Sequence, residues 1–553
     1  MGISIRKNTV WKESSKLKPE AMDLSMKIKS AQSPGLPQKA MSSIILNYKY
    51  LHLRSSMAHM PALSIRFRDH PPGLFYIFFA EMWERFSFYG FRALLVFYIT
   101  SQFSYSQEKA YGIYGTYAAL VYTTPIIGGL IADRILGDRK AIILGGIMIA
   151  LGHICLFMVG ETLFYIGLAF IISGTGLFKA NLASLLGKLY PHGDHRRDAG
   201  FTLYYVGINL GGFLSPIICG YVGEVYGWHY GFSLAALGMI AGLLFFIRGL
   251  SSLEGHGLQP KVAISRKLPL FDLNGEQMIY ILAFFSVPLV AVLVHQHKYF
   301  DYILPLAGVG VVSYMLYLSI SAVGDERKKI LTLLALMFFT MCFDALAEQV
   351  GSSVTFFTKL HVDRVFWGHE LPASMFQSMN PLFIILFGPV IAQAWVKLGK
   401  REPYTPFKFF LGLFAAALGF WLLALSCGFA DTMGRVSIWW LVFIYLLYAL
   451  GELCINPVGL AMVTKFAPPH MTGTLMGVWF ISFSFGDYLS GVLAKLSALA
   501  PGIISAEASL ATFNSAFSTV AYLGFGSALL LLIISPFLAG VFKREEEMKG
   551  YNE

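Results

Sequence analysis

Glu81, Glu84 and Arg85 fall at i, i+3 and i+4 in the stretch EMWERFSFYG (81–90), inside an apolar run from about Leu74 to Ile99. That spacing puts the three on one helical face, where opposite charges neutralise one another. Arg92 lies two turns beyond Arg85 on nearly the same face, and Lys179, Asp344, Glu348 and Glu452 stand in later apolar segments. An ionised side chain at the centre of a bilayer costs roughly 2.5 to 3.5 kcal/mol, so each of these needs a partner, water or a function. Carboxylates beside bases can exchange protons as their surroundings change. Tyr89, Tyr117, Tyr122, Tyr205, Asn209, Asn380 and Trp479 fall in the same segments and add hydroxyls, amides and ring faces. An amide both donates and accepts, which suits a ligand with peptide-like groups. Static ion pairs between helices are one reading of these charges. Because they come from helices in both halves of the chain, a shared polar interior, where transporters place ligand and ion sites, accounts for them better.

The elements that must carry these residues are membrane helices. Of 553 residues 56% are hydrophobic and 13% charged, well below the quarter or so expected of a soluble domain. Fourteen segments have the length and character of helices: 74–100, 111–133, 141–160, 163–188, 201–224, 230–250, 277–296, 302–322, 330–359, 371–396, 406–428, 437–464, 473–498 and 511–541. Alternate connections carry eighteen Lys and Arg against five in the others, which predicts that both termini are cytoplasmic. The resulting domains are a basic, disordered extension (1–70), a six-helix bundle (71–250), a linker (251–276), an inserted hairpin (277–322), a second six-helix bundle (323–545) and a tail (546–553).

The extension holds twelve Lys and Arg and no signal-peptide core. A disordered arm, a weak amphipathic contact with the membrane, and a later start at Met57 or Met60 are all compatible with it. The net charge of +10 is spread along the chain beside apolar segments, which fits lipid headgroups and not nucleic acid. Cys155, Cys219, Cys342, Cys427 and Cys454 show neither metal-ligand spacing nor loop pairing, so they read as buried thiols. His153 reads as a packed core histidine. No phosphate loop, His-Glu metal helix or nucleophile turn is present, which argues against an enzyme and against a nucleotide cofactor. Nothing in the sequence points to an obligate protein partner.

With Glu81, Glu84, Arg85 and Phe86 read as E-x-x-E-R-F, the chain resembles the proton-dependent oligopeptide transporters of the major facilitator superfamily over about residues 70–545. The resemblance is carried by GGLIADRILGDRK (128–140), GTGLFKANLASLLGKLY (174–190), FTLYYVGINLGGFLSP (201–216), EQVGSSVTFF (348–357), FQSMNPLFI (376–384) and GELCINPVGL (451–460). It implies a proton-coupled importer of di- and tripeptides with fourteen helices, as in prokaryotic members, in a bacterial plasma membrane. Its partners would be short peptides, protons and lipids, and its only energy source the proton gradient.

By motif match, proton coupling would fall to Glu81, Glu84, Arg85, Lys179 and Glu348. The pocket would be lined by Tyr89, Arg92, Tyr122, Lys179, Tyr205, Asn209, Asn380, Glu452 and Trp479. Asp133 and Arg134 would belong to a cytoplasmic gate, although Arg134, Arg139 and Lys140 also suit ordinary inside-positive anchors. Phe88 stands where many members have tyrosine, Gly115 where mammalian members have a proton-linked histidine, and Asp344 is an additional acid whose role is open. A carrier for nitrate, an amino acid or another small solute, and a receptor that binds without turnover, remain alternatives.

Overall fold

The computed structural model describes residues 67–550 apart from 192, 193, 195, 261–273, 323, 467–471 and 501–504; the side chains of 400, 460, 461, 464, 465, 472–474 and 542–550 are likewise not described. The chain divides into two units. One comprises Met1–His70 with His192–Ala199. Its described part holds a 3-10 turn, Phe67–Asp69, and an Arg196–Asp194 ion pair of 2.7 Å, with Arg196 also donating to the Asp69 carbonyl. The expected disorder of the extension concerns residues 1–66, which lie outside the described residues.

The other unit, Pro71–Pro191 with Gly200–Glu553, is helical almost throughout. Its long helices are α1 (Gly73–Gln102), α2 (Gln107–Ile131), α3 (Asp138–Phe157), α4 (Glu161–Lys188), α5 (Arg197–Ser215), α6 (Trp228–Arg248), α7 (Gly275–His295), α8 (Phe300–Ser321), α9 (Asp325–Ala347), α10 (Met379–Leu398), α11 (Thr405–Ser426), α12 (Ile438–Phe466), α13 (Thr472–Ala494) and α14 (Ala506–Gly550). Most of their ends agree with the segments read from the sequence to within a few residues; α5 and α9 end earlier, at Ser215 and Ala347, and α10 begins later, at Met379. Helix α14 continues into the expected tail. A two-residue hairpin, β1 (Val365–Phe366) against β2 (His369–Glu370), is the sheet found among the described residues.

Among the described residues, twelve helical stretches are long and apolar enough to cross a membrane. Their surfaces fit that role. Phe285 is 74% exposed, Leu306 74% and Phe537 80%, which water would penalise and lipid tails do not. Helices α3 and α4 pack closely on one another and on their neighbours, α3 on α6 and α4 on α2, while α1 lies on α6. In the later part, α11 packs between α12 and α14, α9 lies on α13 and α11, and α10 on α12. The two sets meet where α2 packs on α13 and where Pro216–Gly220 meets Ala373–Ser378. Helix α7 lies on α4 and α8 on α9, both otherwise largely uncovered.

One helix departs from expectation in a way that matters. The sequence predicts a continuous helix over 330–359, but α9 ends at Ala347, a 3-10 turn covers Glu348–Gly351, and a separate helix runs Ser353–His361. Gly351, Ser352 and Ser353 favour helix weakly, and Ser352 leaves the helical region at φ −133°, ψ −96°. The break also answers a tertiary demand. A β-carbon at Gly351 would lie 2.0 Å from the Tyr114 hydroxyl, so only glycine lets α2 close on this turn.

Candidate functional site

Helix α1 delivers Glu81, Glu84, Arg85, Phe88, Tyr89 and Arg92 along one face. Glu81 and Glu84 are 1% exposed and Arg85 is 2%. The guanidinium of Arg85 donates to both oxygens of Glu84, Nη2 to Oε1 at 2.6 Å and Nε to Oε2, while Nε stands 3.4 Å from Glu81 Oε1. Helical spacing alone favours the i, i+4 partner Glu81. The long Arg85 side chain instead folds back on its sequence neighbour, so that both oxygens of Glu84 meet the guanidinium fork. Glu81 Oε2 is buried without a hydrogen-bond partner. Phe88 separates the two arginines, its ring 4.9 Å from Arg85 Cζ and 5.8 Å from Arg92 Cζ, a cation-π arrangement that a desolvated site strengthens.

Arg92 crosses to the later half of the chain. Its Nη1 pairs with Glu348 Oε2, its Cζ lies 4.9 Å from the Tyr89 ring centroid, and the Tyr114 hydroxyl approaches the Glu348 carbonyl at 3.4 Å. Other contacts join the halves near the Gln102 end of α1. The Ser374 N–H donates to Glu224 at 2.8 Å, Gln377 reaches the Ala93 carbonyl at 3.5 Å, and Lys359 lies 4.4 Å from the Phe97 ring.

Lys179 on α4 rests on an aromatic face and not on a carboxylate, its Nζ 3.6 Å from the Tyr122 ring centroid. The charges acting on it come from Arg85, Glu84, Glu81 and Asp487. Glu452 on α12 is held by amides alone, Asn380 Nδ2 at 3.0 Å and Asn456 Nδ2 at 3.3 Å. Tyr205 packs against the cluster of Ile384, Ala449 and Leu453, its hydroxyl without a partner. Asn209 donates to the Tyr205 carbonyl at 2.9 Å, so one of its N–H groups is used within its own helix. Trp479 stands apart. It is fully buried, beside Phe409 at 6.4 Å and tight against the Gly459 backbone, with its indole N–H unpartnered.

The structure therefore gathers Glu81, Glu84, Arg85, Tyr89, Arg92, Tyr122, Lys179 and Glu348 around α1, and Tyr205, Asn380 and Glu452 around α12. Arg92 and Glu348 link the two groups, since both act on Glu452. Asp133 and Arg134 are elsewhere. They are exposed in the π turn Ala132–Leu136 that ends α2. The bonded members of that loop are its next residues: Asp138 pairs with Lys188 at 2.6 Å, Lys140 with Glu276 at 2.6 Å, and Arg139 Nε donates to the His256 carbonyl at 2.6 Å. Sequence reasoning also missed Asp487, 1% exposed on α13 with both carboxylate oxygens unpartnered. The signal was present, an acid in the apolar run SFSFGDYLSGV, the same one that marks Glu452.

The five cysteines are free thiols, Cys219, Cys427 and Cys454 buried and Cys155 and Cys342 half-buried. His153 is fully buried, its ring 5.9 Å from that of Phe91. No group of three or more possible metal ligands occurs among the described residues.

Residues 139–510 match the POT family. The chain belongs to that family. It is 36% identical over 455 residues to the peptide transporter YePEPT of Yersinia enterocolitica, covering 77% of this chain and 88% of that one. It is 33% identical over 470 residues to dipeptide and tripeptide permease B of Aliivibrio fischeri, covering 84% and 93%. Its fold superposes on the crystal structure of a mutant of peptide transporter POT in complex with alafosfalin, with TM-score 0.73 and 35% identity over 85% of this chain and 96% of that one. Twelve candidate spans and this membership make the protein a multi-pass membrane protein of a transporter family.

Proposed function

We propose that this chain is a proton-coupled symporter that imports di- and tripeptides by alternating access. The observation that carries the reading is the division of charge between the halves. Arg92 and Lys179, from α1 and α4, are the cations, and Glu452, from α12, is a half-buried acid whose hydrogen-bond partners are the amides of Asn380 and Asn456. A short peptide carries an ammonium at one end and a carboxylate at the other. Glu452 would take the first and Lys179 the second, with Tyr89, Tyr122, Tyr205, Asn209, Asn380 and Trp479 serving the backbone and side chains between. Because the anchors belong to different halves, a bound peptide favours the arrangement that brings them together, and that difference in affinity drives the rocking.

Protons would be coupled through carboxylates whose partners change. When Glu348 is protonated it releases Arg92, and the contact that joins the halves near Gln102 weakens. Glu81, Glu84 and Arg85 with Lys179 would pass the charge inward. One positive charge moving through about 100 mV releases roughly 2.3 kcal/mol, enough for about a fiftyfold gradient of a neutral peptide per proton.

The accompanying architecture is the major facilitator arrangement. It has six-helix bundles at 71–250 and 323–545, a linker at 251–276 and an inserted hairpin at 277–322, which is α7 and α8. Helix α1, interrupted by its charges, and α13 would bring the crossings to fourteen. Both termini, with the extension 1–70 and the tail 546–553, would be cytoplasmic in a bacterial plasma membrane. The loop that holds Asp133 and Arg134 would then lie on the cytoplasmic side as part of a gate.

The test is uptake of labelled dipeptide by the purified protein in liposomes under an inward proton gradient. Accumulation above equilibrium that a protonophore abolishes is expected. Binding without accumulation would make the protein a receptor, and full uptake by Glu452→Gln would point to a carrier for a different solute.

A further inference from the structure

Asp344 and Asp487 take no part in the ion pairs described above, yet both are buried, 8% and 1% exposed. Asp344 lies on α9 and Asp487 on α13, helices that pack directly on one another. A β-carbon at Gly486 would be 2.5 Å from Asp344 Cβ and 2.7 Å from Asp344 Oδ2, so the Asp344 carboxyl sits against the backbone beside Asp487. Asp344 Oδ2 and both oxygens of Asp487 have no hydrogen-bond partner.

Among the described residues no cation forms an ion pair with either carboxylate. Asp344 is faced by Asp487, Glu348, Glu452 and Arg92, and Asp487 by Glu348, Arg92 and Lys179. Tyr114 and Tyr122 on α2 lie within the field of Asp487 without a hydrogen bond to it. Helices α11 and α14 meet α9 through Ala417, Gly524 and Leu346, and the carboxylate of Asp301 on α8 is taken by Tyr488. Arg92 is bound to Glu348 and Arg85 to Glu84, while Lys179 lies on Tyr122. A bound zwitterionic peptide has no net charge to add. Two buried carboxylates on helices that pack together, with no ion pair to either among the described residues, resist being ionised together, because each would bear a desolvation cost and their mutual repulsion.

We infer that Asp344 and Asp487 form a second proton-carrying site, a carboxyl pair that holds a proton between α9 and α13 and gives it up when the seam between the halves opens. The inference rests on the symporter reading and adds a carrier to it. The step is a proton transfer only: H⁺ passes from water to a carboxylate oxygen of one aspartate, stays there while the site is sealed, and returns to water when the site is wetted. The position suits coupling. Residues on either side of Asp487 hold α13 to α2, Ser484 Oγ at 2.8 Å from the Ala119 carbonyl and 2.7 Å from Thr123 Oγ1, and the Tyr488 carbonyl is 3.1 Å from a β-carbon placed at Gly115. Rocking of the halves therefore acts on the seam that seals the pair.

The experiment measures proton-to-peptide stoichiometry, as the membrane potential at which dipeptide flux reverses in liposomes, for the wild type, Asp344→Asn and Asp487→Asn. Asparagine mimics the protonated acid in shape, so peptide counterflow, which needs no net proton movement, should persist in both variants. The expected result is a lower stoichiometry with counterflow retained. An unchanged reversal potential in both variants would overturn the inference. If neither variant folds, the wild type decides: difference infrared spectra with labelled aspartate should show a protonated aspartyl carbonyl that changes on peptide binding, and its absence would overturn the inference equally. Wild-type protein without proton-driven uptake would instead remove the symporter reading itself.

Discussion

The two halves of the site handle charge in opposite ways. On α1, Glu84 and Arg85 form a two-pronged pair with Glu81 3.4 Å away, so acid and base are matched locally within one turn of helix. Around α9, α12 and α13 the acids outnumber the bases. Glu348 has borrowed Arg92 from α1, Glu452 has only amides, and Asp487 has no partner at all. The first half thus keeps its acids beside a base on the same helix, while the later half holds acids that draw a cation from the other half or have none.

That contrast can be broken most forcefully at Arg85. Arg85→Ala leaves two carboxylates buried without their base, a loss of roughly 3 to 5 kcal/mol for a broken buried pair. The expected result is a markedly lower thermal unfolding temperature and no uptake; wild-type stability would mean that Glu81 and Glu84 are neutral without it. Lys179→Ala, by contrast, removes a cation held by a ring. It should fold normally while proton-driven dipeptide uptake is lost, and near-normal accumulation would remove its assigned role. Glu452→Gln should weaken dipeptide binding by about 2 kcal/mol or more, roughly thirtyfold, with thermal stability unchanged. Isothermal titration of both proteins compares the two directly.

A subtler effect is expected at the link between halves. Glu348→Gln removes the charge that holds Arg92, so spin labels placed across the Gln102 end of α1 and the segment near Ser374 should show longer separations than in the wild type. The smallest effect belongs to a surface pair. Arg364 and Glu370 lie 2.7 Å apart with Glu370 half-exposed, so Glu370→Ala should cost less than about 1 kcal/mol and leave uptake unaltered.

Much of this was legible because membrane helices announce themselves. Apolar length placed α1 to α14 in order and most of their ends within a few residues, and the high cost of intramembrane charge singled out Glu81, Glu84, Arg85, Lys179, Glu348 and Glu452. What escaped the sequence was set by tertiary contact. The interruption after Ala347 depends on Tyr114 closing against Gly351, which no local pattern on α9 reveals. Arg85 takes Glu84 as its two-pronged partner and leaves Glu81 at 3.4 Å, which helical spacing does not foretell. In the loop after α2, motif matching pointed to Asp133 and Arg134, whereas the contacts belong to Asp138, Arg139 and Lys140, whose partners Lys188, His256 and Glu276 are far away in sequence.

The central claim is that a peptide is held by its two charged ends, one in each half, with Glu452 receiving the ammonium. It is tested most directly by measuring the affinity of wild type and Glu452→Gln for one dipeptide and for its N-acetylated form. The account predicts that acetylation weakens binding to the wild type at least about tenfold and has little further effect in Glu452→Gln, since both changes remove the same contact. Equal losses on acetylation in the two proteins would contradict it.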